Sequence, residues 1–193
     1  VKFAEQYFPD LLPNLSSCKS PQQMLGAVAK ATLPEELGIK KEDLVVVSIM
    51  PCTAKKFEAK RPEFKQDNMP DVDHVLTTQE LARMIEAAGL RFQKLRPESY
   101  DMLMGFKTGA GVIFGNSGGV SEAVLRYAAE KVTGQKLTNP DFNAVRGEDG
   151  MRLATVAIDG TKLKLAVVHG LKNARTLAEK VRRGEIQLDP IEV

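Results

Sequence analysis

One cysteine and one lysine, three residues apart, are the side chains of this chain best placed to do chemistry. Cys52 follows Pro51, and Lys55 and Glu58 follow at intervals of three residues. A thiolate is a nucleophile and a ligand for soft metals, and a lysine one helical turn away can direct its ammonium group at whatever the cysteine holds. An inert buried thiol and a solvated lysine are the ordinary alternatives, and the spacing alone leaves them open.

Two histidines offer further chemistry on weaker grounds. His74 and His169 are the only imidazoles in the chain, and either could activate Cys52 as a nucleophile or join it in a metal site. No paired ligand spacing supports a metal site. A solvated His74 and a hydrogen-bonded structural His169 at a strand end are simpler interpretations.

A glycine-rich stretch at residues 109–119 holds five glycines in eleven residues ahead of a helical pattern. Glycines before a helix N-terminus can cradle phosphates, so a nucleotide-binding domain is one hypothesis. The stretch matches neither GxxxxGK[ST] nor GxGxxG with an acidic partner. Close approach of a cluster or an anion to backbone amides, and tight helix packing, are the other hypotheses.

The cysteine requires a strand and a helix to position it. Leu44 to Met50 is apolar except for Ser48 and rich in β-branched residues, which predicts a central strand with both faces covered. Pro51 ends that strand, and Thr53 can cap a helix over residues 54–60. Cys52 is therefore expected in a strand-to-helix corner, where open α/β sheets bind ligands.

A second helix is predicted from Pro21 to about Thr32, where Pro34 and Gly38 end it. Ser20 can be its N-cap, and Gln23 can complete a capping box. Helical spacing predicts that its apolar face packs on the sheet. That face consists of Met24, Leu25, Val28 and Ala31.

The remaining patterns alternate strands with helices and predict an α/β fold, with parallel-sheet strands flanked by helices. Residues 90–108 predict a long surface or lid-like loop. The helix after the glycines should bury Val120, Val124, Leu125, Ala128 and Val132. The other predicted elements are a helix over 1–8, a strand over 74–77, a Thr78-capped helix over 79–88 with Leu81, Met84 and Ile85 on one face, a hairpin of 153–158 and 163–168 joined by Asp159-Gly160, a helix over 171–183, and a strand beginning at Ile191.

Composition narrows the class of protein. The 27 basic and 25 acidic side chains are spread along the chain, which argues against a nucleic-acid partner or an anionic membrane surface. No apolar run is long enough to span a membrane. Two cysteines without a CxxC pair suit a reducing compartment, so we expect a cytoplasmic protein. The helical start lacks signal-peptide features, and both ends suggest a fragment.

The segment Met50–Glu58, MPCTAKKFE, resembles the middle of the three cysteine motifs of the di-iron (FeFe) hydrogenases, MPCxxKxxE. Four further segments resemble that family in family order, so the resemblance covers nearly the whole chain. They are SSCKSPQQM at 16–24, VLTTQELARM at 75–84, TGAGVIFGNSGGVSEAVLR at 108–126 and VHGLKNAR at 168–175.

This resemblance implies the iron-only hydrogenase fold in part, with residues 1–193 as a catalytic H-cluster domain truncated at both ends. The reaction implied is the reversible reduction of protons to dihydrogen. The H-cluster of that family is a four-iron four-sulfur cubane bridged to a di-iron unit that carries CO, cyanide and a dithiolate. Ferredoxin-type electron carriers and maturation proteins that insert the di-iron unit are the implied partners.

Roles for individual residues follow from the same resemblance. Cys52 would be a thiolate ligand of the cubane, and Lys55 would donate a hydrogen bond to a cyanide on the di-iron unit. Ser16 matches a serine of the proton path, and Glu58 would support the ligand and the lysine. The residues that would line the pocket of the di-iron unit are Pro21, Gln22, Met50 and Phe114.

Departures from the family pattern leave a second function open. The first and third cysteine motifs should lie before Val1 and after Val193, so the chain supplies one of four cubane ligands and is expected to be inactive and without the cluster by itself. Phe106-Lys107 and Asn116-Ser117 also differ from the family pattern. The alternative is a non-catalytic hydrogenase-like iron–sulfur protein that serves cluster assembly or redox or hydrogen sensing.

Overall fold

Two groups of elements, each with its own sheets, make up the described part of the chain. The structure is a computed structural model that describes residues 1–106, 108–136, 142 and 150–193. Ser16–Gly105 forms one compact unit, which we call the cysteine unit because it contains both cysteines. Val1–Leu15 and Phe106–Val193 form the other, which we call the hairpin unit.

Seven helices and seven strands have the following bounds in chain order: α1 Lys2–Tyr7, α2 Pro21–Leu37, β1 Val47–Met50, α3 Ala54–Ala59, β2 Lys65–Gln66, β3 Met69–Pro70, β4 His74–Thr77, α4 Thr78–Ala87, α5 Gly109–Ile113, α6 Gly119–Thr133, β5 Met151–Ile158, β6 Thr161–Val168, α7 Gly170–Arg182 and β7 Ile191–Glu192. These are the elements of the described residues. Strands and helices mix in both units, which confirms the predicted α/β class.

The cysteine unit is built on a two-stranded parallel sheet. β1 pairs with β4 so that Val47 lies opposite His74 and Met50 opposite Thr77. β2 and β3 form a separate short antiparallel pair. The strand predicted at His74–Thr77 is therefore confirmed, and its parallel partner is the strand that leads to Cys52.

The prediction of a buried central strand from Leu44 to Met50 is wrong in two respects. The strand begins at Val47, and Val47 and Ile49 are 50% and 49% exposed. In the described residues β1 pairs with β4 alone, so it is not a central strand, and the exposure of Val47 and Ile49 shows that one of its faces is not covered. An apolar, β-branched run specifies a strand, but it does not say whether both faces are covered.

Helix α2 is longer than predicted. It continues past Thr32, through a buried Pro34, to Leu37, and ends at Gly38 in the left-handed conformation with φ of 65°. A proline near the end of a helix removes one backbone hydrogen bond, and the burial of its ring offsets that loss. Gly38 therefore ends the helix as predicted, whereas Pro34 does not.

Helix α2 also buries the opposite face from the one predicted. Met24, Leu25 and Val28 are 44%, 61% and 48% exposed, and Ala31 is exposed as well. Gly26 explains this orientation, because a Cβ atom there would lie 2.4 Å from the carbonyl oxygen of Asp71. The face that contains Gly26 is turned inward by this backbone contact. It also carries Gln22, Gln23, Ala29, Lys30 and Leu33.

The helix caps agree with the sequence in part. Ser20 caps α2 as predicted, but the side chain of Gln23 is fully buried, and neither of its polar atoms has a hydrogen-bond partner among the described residues. Gln23 therefore does not complete a capping box. Thr53 occupies the N-cap of α3 without a side-chain hydrogen bond. Thr77, one residue before the predicted Thr78, caps α4.

The hairpin unit contains a three-stranded mixed sheet. β5 and β6 are antiparallel and joined at Asp159-Gly160, whose φ angles of 46° and 78° fit a tight hairpin turn. β7 pairs with β6 in parallel. The hairpin and the strand at Ile191 are confirmed. Two buried apolar clusters lie on this sheet: one contains Leu125, Ala129, Val156, Ile158, Leu165 and Val167, and the other Ala166, Val168, Ala174 and Leu177.

In the hairpin unit, the buried face of α7 agrees with the prediction, and the buried face of α6 agrees only in part. α7 is amphipathic as predicted and buries Ala174 and Leu177. α6 buries Leu125 as predicted, but Val124 and Val132 are 60% and 61% exposed. Val120 and Ala128 are partly buried. Gly119 fixes the face of α6, because its own contact with α5 aligns Glu122, Leu125 and Ala129 toward the interior.

The long loop predicted at residues 90–108 is confirmed where the structure describes it. After a short 3-10 turn at Phe92–Lys94, residues 95–106 contain no helix or strand and are exposed. Lys107 lies outside the described residues. Within the ranges that the structure describes, none of the helices is both long and apolar enough to cross a membrane.

Candidate functional site at the Cys52 corner

Cys52 lies where the predicted corner should be, between β1 and α3. β1 ends at Met50, α3 begins at Ala54, and Pro51, Cys52 and Thr53 make the turn. The side chain of Cys52 is exposed, as is that of Cys18. The interpretation of Cys52 as an inert buried thiol is therefore wrong, and the thiol is open to a ligand.

A hydrogen-bond network runs from β1 and α2 to the lysine of the corner. The carboxylate of Glu58 accepts from Ser20 Oγ at 2.8 Å, from Gln22 Nε2 at 3.3 Å and from Lys55 Nζ at 3.2 Å. The hydroxyl of Ser48 donates to Gln22 Oε1 at 2.8 Å. Each end of the Gln22 amide thus has a partner, so the network fixes the direction of that side chain.

Three of the residues that the sequence predicts for the site, Gln22, Lys55 and Glu58, belong to this one network. The two serines that complete it are Ser20 and Ser48, which are not among the site residues that the sequence predicts. Ser48 offers a usable signal, because it is the one polar residue in an apolar strand. Ser20 was recognised as a helix cap, and its donation to Glu58 has no sequence signature.

Lys55 is held rather than freely solvated. Its ammonium forms an ion pair with Glu58 three residues along the helix, and the two side chains are only 28% and 20% exposed. An ammonium group has three donors, so pairing with a carboxylate leaves it able to bind a second acceptor. A partly buried, pre-oriented cation three residues after an exposed thiol suits the binding of an anionic group at Cys52.

The other predicted site residues occupy different places. Met50 packs against a small buried cluster of Ala59, Val72 and Val75, while Pro21 is exposed at the first position of α2. Ser16 is exposed and its hydroxyl accepts from the backbone amide of Cys18 at 3.1 Å. Phe114 belongs to the hairpin unit, follows α5 and is 41% exposed.

A second ion pair holds α3 from the side of α4. Lys56 Nζ lies 2.6 Å from Glu80 Oε2, and the same carboxylate accepts from the backbone amide of Thr77 at 2.8 Å. The hydrogen bond from Lys56, followed by the one from the Thr77 backbone, lowers the pKa of Glu80 from 4.5 to about 2. Glu80 is therefore a carboxylate at any physiological pH.

Two aspartates that precede β4, Asp71 and Asp73, form ion pairs with lysines. Asp71 is 4% exposed and pairs with Lys19 at 2.6 Å. Asp73 pairs with Lys30, which is 6% exposed, and accepts from the backbone amide of Val46 at 2.7 Å. These contacts join α2, the entrance to β1 and the entrance to β4, so the two strands of the parallel sheet are set by buried charges.

The described residues contain no group of three histidine, cysteine or acidic side chains that could hold a metal ion. His74 is exposed, which agrees with its interpretation as a solvated residue, and His169 is exposed at the N-cap of α7, one residue after β6. Cys52 is consequently a candidate for one ligand of a metal group and not for a complete site. The structure offers no support for a histidine-activated nucleophile.

Within the glycine-rich stretch, Gly119 is needed for helix packing, and a side chain of this protein occupies the helix N-terminus that follows. A Cβ atom at Gly119 would lie 1.8 Å from the carbonyl oxygen of Ile113, so only glycine allows α5 and α6 to meet there. The carboxylate of Glu192 accepts from the backbone amides of Gly118 and Ser121 at 3.1 and 2.8 Å. A side chain of the protein thus fills the helix N-terminus that a phosphate would need.

Comparison with known proteins gives a consistent family. The sequence matches the family described as iron only hydrogenase large subunit, C-terminal domain, over residues 1–193. It is 50% identical over 184 residues to the periplasmic [Fe] hydrogenase large subunit of Nitratidesulfovibrio vulgaris, covering 95% of this chain and 44% of that protein. The more distant protein NAR1 of Arabidopsis thaliana is 34% identical, with 95% of this chain and 41% of that protein covered.

The fold is also similar to that of solved structures. Apo [FeFe]-hydrogenase HydA1 from Chlamydomonas reinhardtii, variant C377H, superposes with a TM-score of 0.78 at 38% identity, covering 98% of this chain and 55% of that one. The chain spans less than half the length of the two curated relatives and about half of the solved chain.

Proposed function

The chain belongs to the family of the iron-only hydrogenase large subunit, C-terminal domain, and we propose that its Cys52 corner serves the reversible reduction of protons to dihydrogen. The observation that carries this proposal is the network around Glu58. It holds Lys55 and Gln22 in fixed directions, and Lys55 follows the exposed Cys52 by three residues. Fixed donors near a metal-binding thiolate are what an anchored metal group with anionic ligands requires.

The chemistry of the donor set fits the H-cluster in part. A bound H-cluster supplies the electron transfer and the hydrogen chemistry. Cys52 provides one of the thiolates that a cubane needs, and thiolates are the ligands that iron–sulfur clusters prefer. The described residues contain no group of three or more metal ligands, so Cys52 is proposed as one ligand of a cluster and not as a complete site.

Lys55 is proposed to bind a cyanide of the di-iron unit through a charge-assisted hydrogen bond. Glu58 keeps the ammonium in place, and Gln22 and Ser20 keep Glu58 in place. Such a bond to a charged acceptor contributes about 1.5–3 kcal/mol when its geometry is fixed. The role of the network is therefore orientation of one cation.

The remaining predicted residues are proposed to shape access to the site. Pro21 and Met50 would exclude water from the di-iron unit, and Ser16 would pass protons through its hydroxyl. For Phe114, in the hairpin unit, the pocket-lining role stays a prediction. The hydroxyl of Ser16 is exposed and accepts from a backbone amide, so its proton remains available for donation. These roles stay proposals for individual residues.

We extend the proposal to partners and location. Ferredoxin-type carriers would deliver the electrons, and maturation proteins would insert the di-iron unit. We expect neither nucleic acid nor membrane insertion. We propose a cytoplasmic location because neither cysteine is in a disulfide. The name of the Nitratidesulfovibrio vulgaris relative gives a periplasmic location for that protein. Fractionation of the source cells distinguishes the two locations.

A second candidate function is iron–sulfur cluster assembly or sensing without turnover. More distant relatives with 31–34% identity favour it, because they carry the name cytosolic Fe-S cluster assembly factor. Such a protein needs the thiolate of Cys52 but has no use for an oriented Lys55. The Lys55–Glu58 pair therefore favours the hydrogenase.

The deciding experiment is anaerobic maturation of the full-length protein, followed by a dihydrogen assay and infrared detection of CO and cyanide. We expect turnover, and a loss of about tenfold or more in Lys55→Gln, the equivalent of one charge-assisted hydrogen bond. Lys60→Gln, an exposed lysine that ends the same helix, is the control. A loaded cluster without turnover would favour the second candidate, and absence of any di-iron unit would refute the hydrogenase.

A further inference from the structure

The Cys52 turn is bracketed by two contacts that meet at the beginning of α4. On the strand side, Met50 pairs with Thr77, the N-cap of α4. On the helix side, Lys56 forms its ion pair with Glu80, the third residue of the same helix. Pro51, Cys52 and Thr53 lie between these two fixed points, so the start of α4 limits where the thiol can be.

Glu80 performs two tasks at once. Its carboxylate accepts from the amide of Thr77, and the hydroxyl of Thr77 accepts from the amide of Glu80 at 3.2 Å, which completes a capping box. The same carboxylate accepts from Lys56 Nζ at 2.7 Å. The cap of α4 is thus joined directly to α3, and Glu80 is fully ionised there because its pKa is about 2.

Two neighbouring lysines hold α3 from two sides. Consecutive residues of a helix point about 100° apart, so Lys55 and Lys56 reach different partners. Lys55 meets Glu58 and, through it, α2, while Lys56 meets α4. A six-residue helix has little stability of its own, and contacts of this kind decide where it lies.

We propose that Lys56 and Glu80 are positioning residues that fix the Cys52 turn and the direction of Lys55. These contacts join side chains and backbone groups of this chain. Their consequence for a metal group rests on the proposed function of Cys52, and the two can be tested apart.

Hydrogen exchange on the full-length protein without metal tests whether Lys56 and Glu80 position the Cys52 turn. In Lys56→Gln, which leaves the capping box of α4 intact, the amides of residues 53–60 should exchange about two- to fivefold faster, the range of an exposed ion pair. Lys56→Arg should restore the rate. Glu86→Gln, at an exposed glutamate of α4, is the matched control. Unchanged exchange in Lys56→Gln would overturn the proposal.

Measurements on the cluster-loaded protein distinguish an effect of positioning from a purely electrostatic effect of the removed charge. Lys56→Gln removes a positive charge and Glu80→Gln a negative one, so a purely electrostatic effect moves the reduction potential of the cubane in opposite directions. If the turn is loosened, the reduction potential of the cubane moves in the same direction in both variants. A redox titration followed by electron paramagnetic resonance measures this shift. Opposite shifts, or none, would refute positioning. Faster exchange in a protein that takes up no cluster would instead refute the proposed function alone.

Discussion

The two units of the chain are stabilised in different ways. The hairpin unit has two apolar clusters, with Leu165 and Leu177 each only 1% exposed. The cysteine unit has one small cluster of three buried residues. Among the described residues it buries four polar side chains, Gln22, Gln23, Lys30 and Asp71, whereas the hairpin unit buries one, Glu122.

This difference agrees with the location of the candidate site, which lies in the cysteine unit. Apolar packing is non-directional and tolerates changes of shape, whereas hydrogen bonds and ion pairs set the direction of individual side chains. The cysteine unit contains Cys52, Lys55 and Glu58, whose use depends on direction. Its stability is sensitive to the loss of any one partner, because a buried charge left alone is costly.

Removal of apolar volume from the hairpin unit should have the largest effect. Leu165→Ala leaves a cavity at a position only 1% exposed and should lower the free energy of unfolding by about 2–5 kcal/mol. Urea denaturation measures it. Leu153→Ala, on the half-exposed face of β5, is the control and should cost much less. Equal losses would contradict an apolar core in this unit.

The corresponding change in the cysteine unit removes a charge. Lys30→Met leaves Asp73 without its partner on α2 and should cost about 1–3 kcal/mol, although the new side chain is apolar and similar in length. Lys40→Met, at an exposed lysine, serves as the control in the same urea experiment. A stabilised Lys30→Met protein would show that apolar burial also governs this unit.

The glycine-rich stretch gives a matched pair of substitutions. Gly119→Ala should cost about 1–3 kcal/mol, because the added carbon would overlap the carbonyl oxygen of Ile113. Gly115→Ala, where a Cβ atom has open space, should cost nothing or stabilise slightly. Thermal unfolding of the two variants measures the difference. Similar melting temperatures would mean that α5 and α6 do not pack as described.

The smallest effect expected is the pH dependence of the Lys56–Glu80 pair. The pKa of Glu80 falls from 4.5 to about 2 in the folded protein, so its contribution is present above about pH 4.5 and is lost as the pH falls toward 2. The stability difference between wild type and Lys56→Gln should therefore shrink over this window, and added salt should shrink it as well. A difference that is constant from pH 7 to pH 2.5 would contradict the pair.

Secondary-structure elements and the position of the Cys52 corner were predictable from the sequence. The side chains that the cysteine unit buries were less so. β4, the hairpin turn at Asp159-Gly160 and the corner at Cys52 follow from local chemistry, namely β-branched runs, a turn dipeptide and a proline stop. The family motif placed Gln22, Lys55 and Glu58 at one site, and the structure joins them. Their individual roles remain predictions.

The inward face of α2 could not be predicted from periodicity. Hydrophobic spacing assigns Met24, Leu25 and Val28 to the interior because it treats Gln22 and Lys30 as solvent-facing. In the structure the partners of those polar residues are Ser48, Glu58 and Asp73, which are distant in sequence. Such pairing depends on the fold, so a local pattern does not contain it.

The most direct test of the central claim is the electron paramagnetic resonance signal of the cubane in two cysteine variants of the full-length protein. Cys52 and Cys18 are both exposed and lie in the same unit, so Cys18→Ser controls for the loss of a thiol. After anaerobic reconstitution, Cys52→Ser should lose the cubane signal in electron paramagnetic resonance, and Cys18→Ser should retain it. A normal signal in Cys52→Ser would show that this corner does not bind the cluster.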